Sequence, residues 1–165
     1  MNFSHSTSLL KQDHITETHF DQKFELWEKI IIGGNLCYEK GQVLTALGAY
    51  SQAIAVAKEL INIAPCNRKS LTALITSFHN RSDVYLYYHQ SNETQLALSL
   101  AYDSIRQAEQ AIEEIERRYV NNIDVMRLAS IARQQRLLFV KRHPNYSEIY
   151  GPHLQQNHEK QRAIH

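Results

Sequence analysis

The chain has 165 residues, 43% of them hydrophobic, and 18 basic against 17 acidic side chains give a net charge of +1. That length fits one domain able to bury a core without staples, and five glycines and three prolines leave room for long helices. No apolar run approaches the roughly 20 residues needed to cross a bilayer, none resembles a secretory signal, and Cys37 and Cys66 form no CxxC pair, so the expectation is a cytoplasmic protein with reduced thiols.

Residues 1–18 are polar, rich in Ser, Thr and His, and are expected to be a flexible N-terminal segment. A first helix is expected to start between residues 19 and 21 and run to 40, with Phe24, Trp27, Ile31 and Gly34 at helical spacing. Gly33 and Gly34 cost a helix roughly 1 kcal/mol each relative to Ala, which implies close contact with the following helix as compensation. Gly41 is placed to end the first helix in a left-handed conformation. The second helix is expected over 43–63, with Leu44, Leu47, Tyr50, Ile54, Ala57 and Ile61 as its inward stripe. A third fits 68–90 and a fourth 93–119, separated by a turn at Ser91, Asn92 and Glu93. A fifth fits 122–142, capped by Asn121 or Asn122 and ended by Pro144. The last stretch, 143–165, is expected to be a C-terminal tail.

The run from Gly34 to Ala53, with small residues at Gly34, Gly41, Ala46 and Ala53 and aromatics at Tyr38 and Tyr50, resembles one tetratricopeptide (TPR) repeat. Residues 68–119 repeat the spacing in degenerate form, with Ser82 in the place of Gly34. The segment around His79 and Asn80 also resembles small, uncharacterised bacterial TPR-like proteins. The resemblance implies an all-α fold in which antiparallel hairpins of about five helices stack as a right-handed solenoid over residues 19–142. The fifth helix would then cap the stack with a polar outer face.

In TPR folds the first helix of each pair lines a concave groove. Carried over, the groove would present Glu28, Ile31, Asn35, Tyr38 and Glu39 from the first pair, and Thr76, His79, Asp83, Leu86 and Tyr87 from the second. The partner-binding set expected from this resemblance is Asn35, Tyr38, Glu39, His79, Asp83 and Tyr87. His79 and Asp83 are i, i+4 neighbours able to hydrogen-bond on one helix face; that pair is read either as recognition or as packing. The implied function is a non-enzymatic adaptor or chaperone-like module that binds a peptide or helix of a partner protein.

Other classes are weaker. The nine histidines form no HExxH or comparable set, and no nucleophile stands in a recognisable elbow, so neither enzyme activity, metal nor cofactor is expected. Residues 117–142 carry seven basic side chains against one acidic, and Arg127, Arg133 and Arg136 form a candidate basic surface for nucleic acid. The blander reading is that they meet the chain's own acidic part. Tyr85, Tyr87 and Tyr88 cannot all face a core, so at least one is expected exposed, which suits a homodimer contact as a third reading.

Overall fold

A computed structural model describes residues 4–92, 94–144 and 146, with side chains from Glu17 onward. Five helices follow in order: α1 (Ser4–Glu39), α2 (Val43–Ile63), α3 (Arg68–Asn92), α4 (Gln95–Arg118) and α5 (Ile123–Arg142). There are no strands among the described residues. The helix starts at Ser4, upstream of the expected start at 19–21; residues 4–18 contain neither Gly nor Pro to stop it. Of the expected tail, only His143, Pro144 and Tyr146 are among the described residues.

Each junction has a local cause. Gly41 has φ of +71°, its N–H donates to Tyr38 O at 2.9 Å, and Gln42 N–H donates to Cys37 O at 2.9 Å. This is a Schellman motif, which needs a residue tolerant of the left-handed region and satisfies the last carbonyls of α1. Asn67 Oδ1 accepts from Lys69 N at 2.8 Å at the start of α3. Asn122 Oδ1 accepts from Val125 N at 3.0 Å, so of the two expected caps it is Asn122 that starts α5. The expected turn at Ser91–Glu93 lies later than anticipated: α3 continues to Asn92, and Thr94 precedes α4 without a side-chain cap. His89 Nδ1 lies 2.8 Å from Thr94 O and closes that turn.

Helices pack on their chain neighbours, and α1 also meets α3 while α3 meets α5. Alanines at 46, 53, 57, 73, 101 and 108, all fully buried, let the axes approach. Gly34 does the same work between α1 and α2: a Cβ there would stand 2.7 Å from the Tyr50 ring, whereas one at Gly33 would meet nothing within 4 Å. Only one of the two glycines is therefore held by close approach. At the equivalent place in the second pair, buried Ser82 bridges α3 to α4 by donating to Ala101 O at 3.0 Å. Trp27 crosses from α1 to α3 and donates from Nε1 to Ser77 Oγ at 2.8 Å.

Two expectations about faces fail. In α2, Tyr50, Ile54 and Ala57 are buried, but Leu44 is 81% exposed and the buried arc centres on Ala46, Ala53, Ala57 and Leu60. α2 is flanked by α1 and α3, which rotates its inward face away from Leu44. In α5 the outer face is mixed: Arg127, Ser130, Gln134 and Lys141 are exposed beside apolar residues. Arg133 and Arg136 turn to α4, where Arg133 meets Glu116 at 2.8 Å and Arg136 meets the nearly buried Glu109. That leaves Ile123, Met126, Ile131 and Leu137 exposed.

Candidate functional site

The face shared by α1, α3 and α5 collects most of the groove residues expected from sequence. Asn35 and Tyr38 come from the end of α1, four and one residues before its last residue Glu39. His79, Asp83 and Tyr87 come from α3 at intervals of four, which places them along one side of that helix. Tyr38 and Tyr87 meet edge to face, with ring centroids 5.7 Å apart. Ile31, expected on this face, is instead in the core.

Asn35 is largely engaged within the fold. Its Oδ1 accepts from Tyr50 Oη at 2.7 Å and from Asn80 Nδ2 at 3.1 Å. It fixes the relation of α1, α2 and α3, and only its amide N–H groups remain for a ligand. Asp83 lies where its charge reaches across helices. Burial raises its carboxyl above the usual range, and the Arg142 guanidinium on α5 partly offsets this. Burial and then the Asp83 charge raise the Tyr38 phenol, with Tyr87 adding to it. The Tyr50 phenol is pushed up to about 12, by burial first and then by Tyr38 and Asp83, with smaller effects from Cys37 and Glu39. Glu39 itself is exposed at the helix end.

Beside Asp83 the face deepens into a hollow of about 260 Å³ between α3, α4 and α5. Leu86, Ile105, Leu138 and Phe139 give it apolar walls, while His79, Asp83, Gln135, Arg142 and His143 supply polar groups. His79 Nε2 is buried and has no hydrogen-bond partner, and burial lowers its pKa below the ordinary value, favouring the neutral ring. No hydrogen bond joins His79 to Asp83, so the pair does not form the contact that i, i+4 spacing permits. The geometry offers a half-dehydrated acceptor or donor at His79, a carboxyl at Asp83 and a guanidinium at Arg142 around an apolar floor.

Gln135, Arg142 and His143 were not anticipated. Their signal was the spacing of Gln135, Leu138, Phe139 and Arg142 at i, i+3, i+4 and i+7, one stripe of α5. The excess of basic side chains on α5 obscures it. Of the two readings of the basic surface, the pairing follows the blander one: Arg133 and Arg136 are ion-paired to glutamates of α4, and Arg127 is exposed. Tyr87 and Tyr88 are exposed and Tyr85 is half-buried.

Cys37 and Cys66 are free, half-buried thiols, and burial raises the Cys66 thiol. Among the described residues no three His, Cys, Asp or Glu side chains are grouped to hold a metal ion. None of the described helices is long and apolar enough to cross a membrane.

No curated protein and no solved structure matches this chain. Residues 25–162 match a family described as protein of unknown function, DUF2753, rather than a tetratricopeptide family. That match runs from just before Trp27 on α1 to beyond Tyr146 and takes in every element that builds the site, so the chain belongs to the DUF2753 family.

Proposed function

We propose that this protein is a non-catalytic protein-interaction module that holds a peptide or helix of a partner against the face lined by α1, α3 and α5. The alternation of contacts, α1 with α3 and α3 with α5, supports a TPR-like winding of helical hairpins with these three helices on its inner side. The observation that carries the reading is the unpartnered, buried Nε2 of His79 in a hollow beside Asp83. A buried polar atom without a partner costs about 1–3 kcal/mol, and a ligand that supplies the missing bond recovers that cost. Exposed Tyr87, edge to face with Tyr38, offers the aromatic area typical of protein contacts. Arg133 and Arg136 are already committed to glutamates, which weakens the nucleic-acid alternative.

The test is affinity capture from a nuclease-treated cell lysate with wild type and with Asp83→Asn/Tyr87→Ala. Neither side chain belongs to the buried core, so the double variant is expected to fold. A protein recovered by wild type and lost with the variant supports groove binding. Equal recovery by both, or recovery of nucleic acid alone when nuclease is omitted, overturns it.

A further inference from the structure

The residues that α1 buries, Phe20, Trp27, Ile31 and Gly34, meet α2 and α3 from one side. The opposite side of this first helix turns away from the stack, where a terminal helix is expected to be polar. It carries apolar side chains instead: Ile32 is 59% exposed, Leu36 49% and Leu26 42%. Beside Ile32 stands Gly33, exposed, with nothing within 4 Å of the place a Cβ would occupy. Apart from Pro, Gly is the least favourable residue for a helix interior. Within one chain no close approach compensates for it at this position, in contrast to Gly34.

Charged residues share this face in a definite order. Glu25, Lys29 and Lys40 are exposed, and none is ion-paired to a described residue. At 3.6 residues per turn, these three fall with Ile32, Gly33 and Leu36 inside an arc of about 100°, diametrically opposite the buried side. Glu25 stands seven residues before Ile32, and Lys40 seven after Gly33; Lys29 stands three before Ile32, and Leu36 three after Gly33. The face is therefore complementary to itself when reversed. A two-fold axis passing between Ile32 and Gly33 sets Glu25 of each chain against Lys40 of the other, and Lys29 against Leu36, each pair occurring twice.

We propose that the outward face of α1 is a self-association surface, on which a second copy of this chain packs its own α1 antiparallel about that axis. Next to the axis the two Ile32 side chains meet, and the two Gly33 residues let the helices approach closely. Lys29 lays its stem over the Leu36 of the second copy and keeps its ammonium in water. Leu26 lies at the edge of the arc, beside the Lys40 stem. Stacking α1 on α5 of another copy fits less well, because Lys29 and Lys40 would approach a face where Arg127 and Lys141 are exposed. A single helix pair is small beside a standard interface, so pairing is expected as concentration rises, with the dilute chain single. The inner face with His79 and Asp83 stays uncovered, and the proposal does not depend on the function proposed for it.

The experiment is sedimentation velocity on the full chain, which is expected to pass from one chain to two as concentration rises. Glu25→Lys and Lys40→Glu each place like charges across the pair and are expected to weaken association by about ten-fold. The double variant Glu25→Lys/Lys40→Glu exchanges the signs and is expected to restore it. Gly33→Leu is expected to weaken association at unchanged helicity, because it holds the helices apart. As a second readout, Ile32→Cys in a Cys37→Ser/Cys66→Ser background is expected to form covalent dimers on mild oxidation, since its two copies lie beside the axis. Leu26→Cys is not, because its copies would stand about 20 Å apart along the helices, beyond the roughly 7 Å limit between bridged Cα atoms. A chain that stays single at every concentration, a double variant as weak as the single ones, or equal linking through Leu26→Cys and Ile32→Cys overturns the proposal. Growth beyond two chains would assign the face to α5 of the next copy and likewise overturns it.

Discussion

At the scale of single residues, the two adjacent glycines of α1 provide the sharpest contrast. Gly33→Ala should stabilise the protein by up to about 1 kcal/mol, because nothing opposes the gain in helix propensity. Gly34→Ala sets that same gain against a Cβ driven into the Tyr50 ring at 2.7 Å, and overpacking of this kind costs about 1–3 kcal/mol. Urea unfolding of the two variants should therefore give shifts of opposite sign; a gain at both positions would mean that Tyr50 yields freely. Ser77→Ala should cost about 1–2 kcal/mol in the same assay, because it leaves the indole N–H of Trp27 buried without its acceptor.

His79 and Asp83 give a pH test with two signs. His79 has a lowered value in the folded protein. Its contribution is fully present above the unfolded value of about 6.5 and is lost as pH falls through the folded value. Asp83 has a raised value, so its contribution is present below the ordinary range and lost as pH rises through the folded value. Asp83→Asn is expected to raise Tm at pH 7 and to give no gain below about pH 3.5. His79→Gln is expected to flatten the fall in Tm between pH 7 and 5. Parallel Tm profiles for both variants and wild type would show that the hollow does not dehydrate these groups.

At the scale of elements, α5 shows why charge in a sequence does not identify a surface. Its excess of arginine and lysine suggested a solvated cap, but a helix presents side chains in every direction, and net charge does not say which side they occupy. The acidic residues of α4 at positions 109, 113 and 116 provide the missing information, since they recur at three and four along the facing helix. Arg136→Ala should cost about 1–3 kcal/mol, because it strands Glu109, whose side chain is only 8% exposed. Arg118→Ala, at an exposed i, i+4 pair with Glu114, should cost under about 0.5 kcal/mol. Equal effects from these two substitutions in urea unfolding would contradict the difference in burial.

Several helix limits were legible because their signals are local, whereas nothing local marked the start of α1 at Ser4. Gly41, Asn67, Asn122 and Pro144 each act on the backbone within a few residues, and α2 runs over the residues expected, 43–63. The stripe of α2 was less legible because a helix flanked on two sides has a broad buried arc, and alanines at 46, 53 and 57 carry it instead of the larger Leu44. The candidate site was half legible. His79, Asp83 and Tyr87 share α3, so their alignment follows from helical period alone. Tyr50, Asn80 and Arg142 join them only through the way α2, α3 and α5 pack, which spacing along one helix does not contain.

At the scale of the whole molecule, the contact order of the helices sets what can move. Each helix meets its chain neighbours, with only α1 to α3 and α3 to α5 in addition. An arrangement of near-neighbour contacts is expected to fold quickly for its size and to open first at an end. The core is divided in keeping with this. One cluster runs from α1 through α2 and α3 to the second half of α4 and the first half of α5, and a smaller one gathers Leu98, Tyr102, Ile105, Phe139 and Tyr146 at the other ends of α4 and α5.

Trp27 is the one tryptophan of the chain. It is stacked on Phe24 and bonded to Ser77 at the junction of α1 and α3, far along the stack from the cluster around Tyr146. The protein therefore carries its own optical reporter for one end. Indole emission will register the release of α1 and be silent to events confined to α5, whereas amide ellipticity averages over all helices. Denaturation followed by both signals together should superimpose if the stack melts as one unit, and the indole curve should lag if the α5 end opens first.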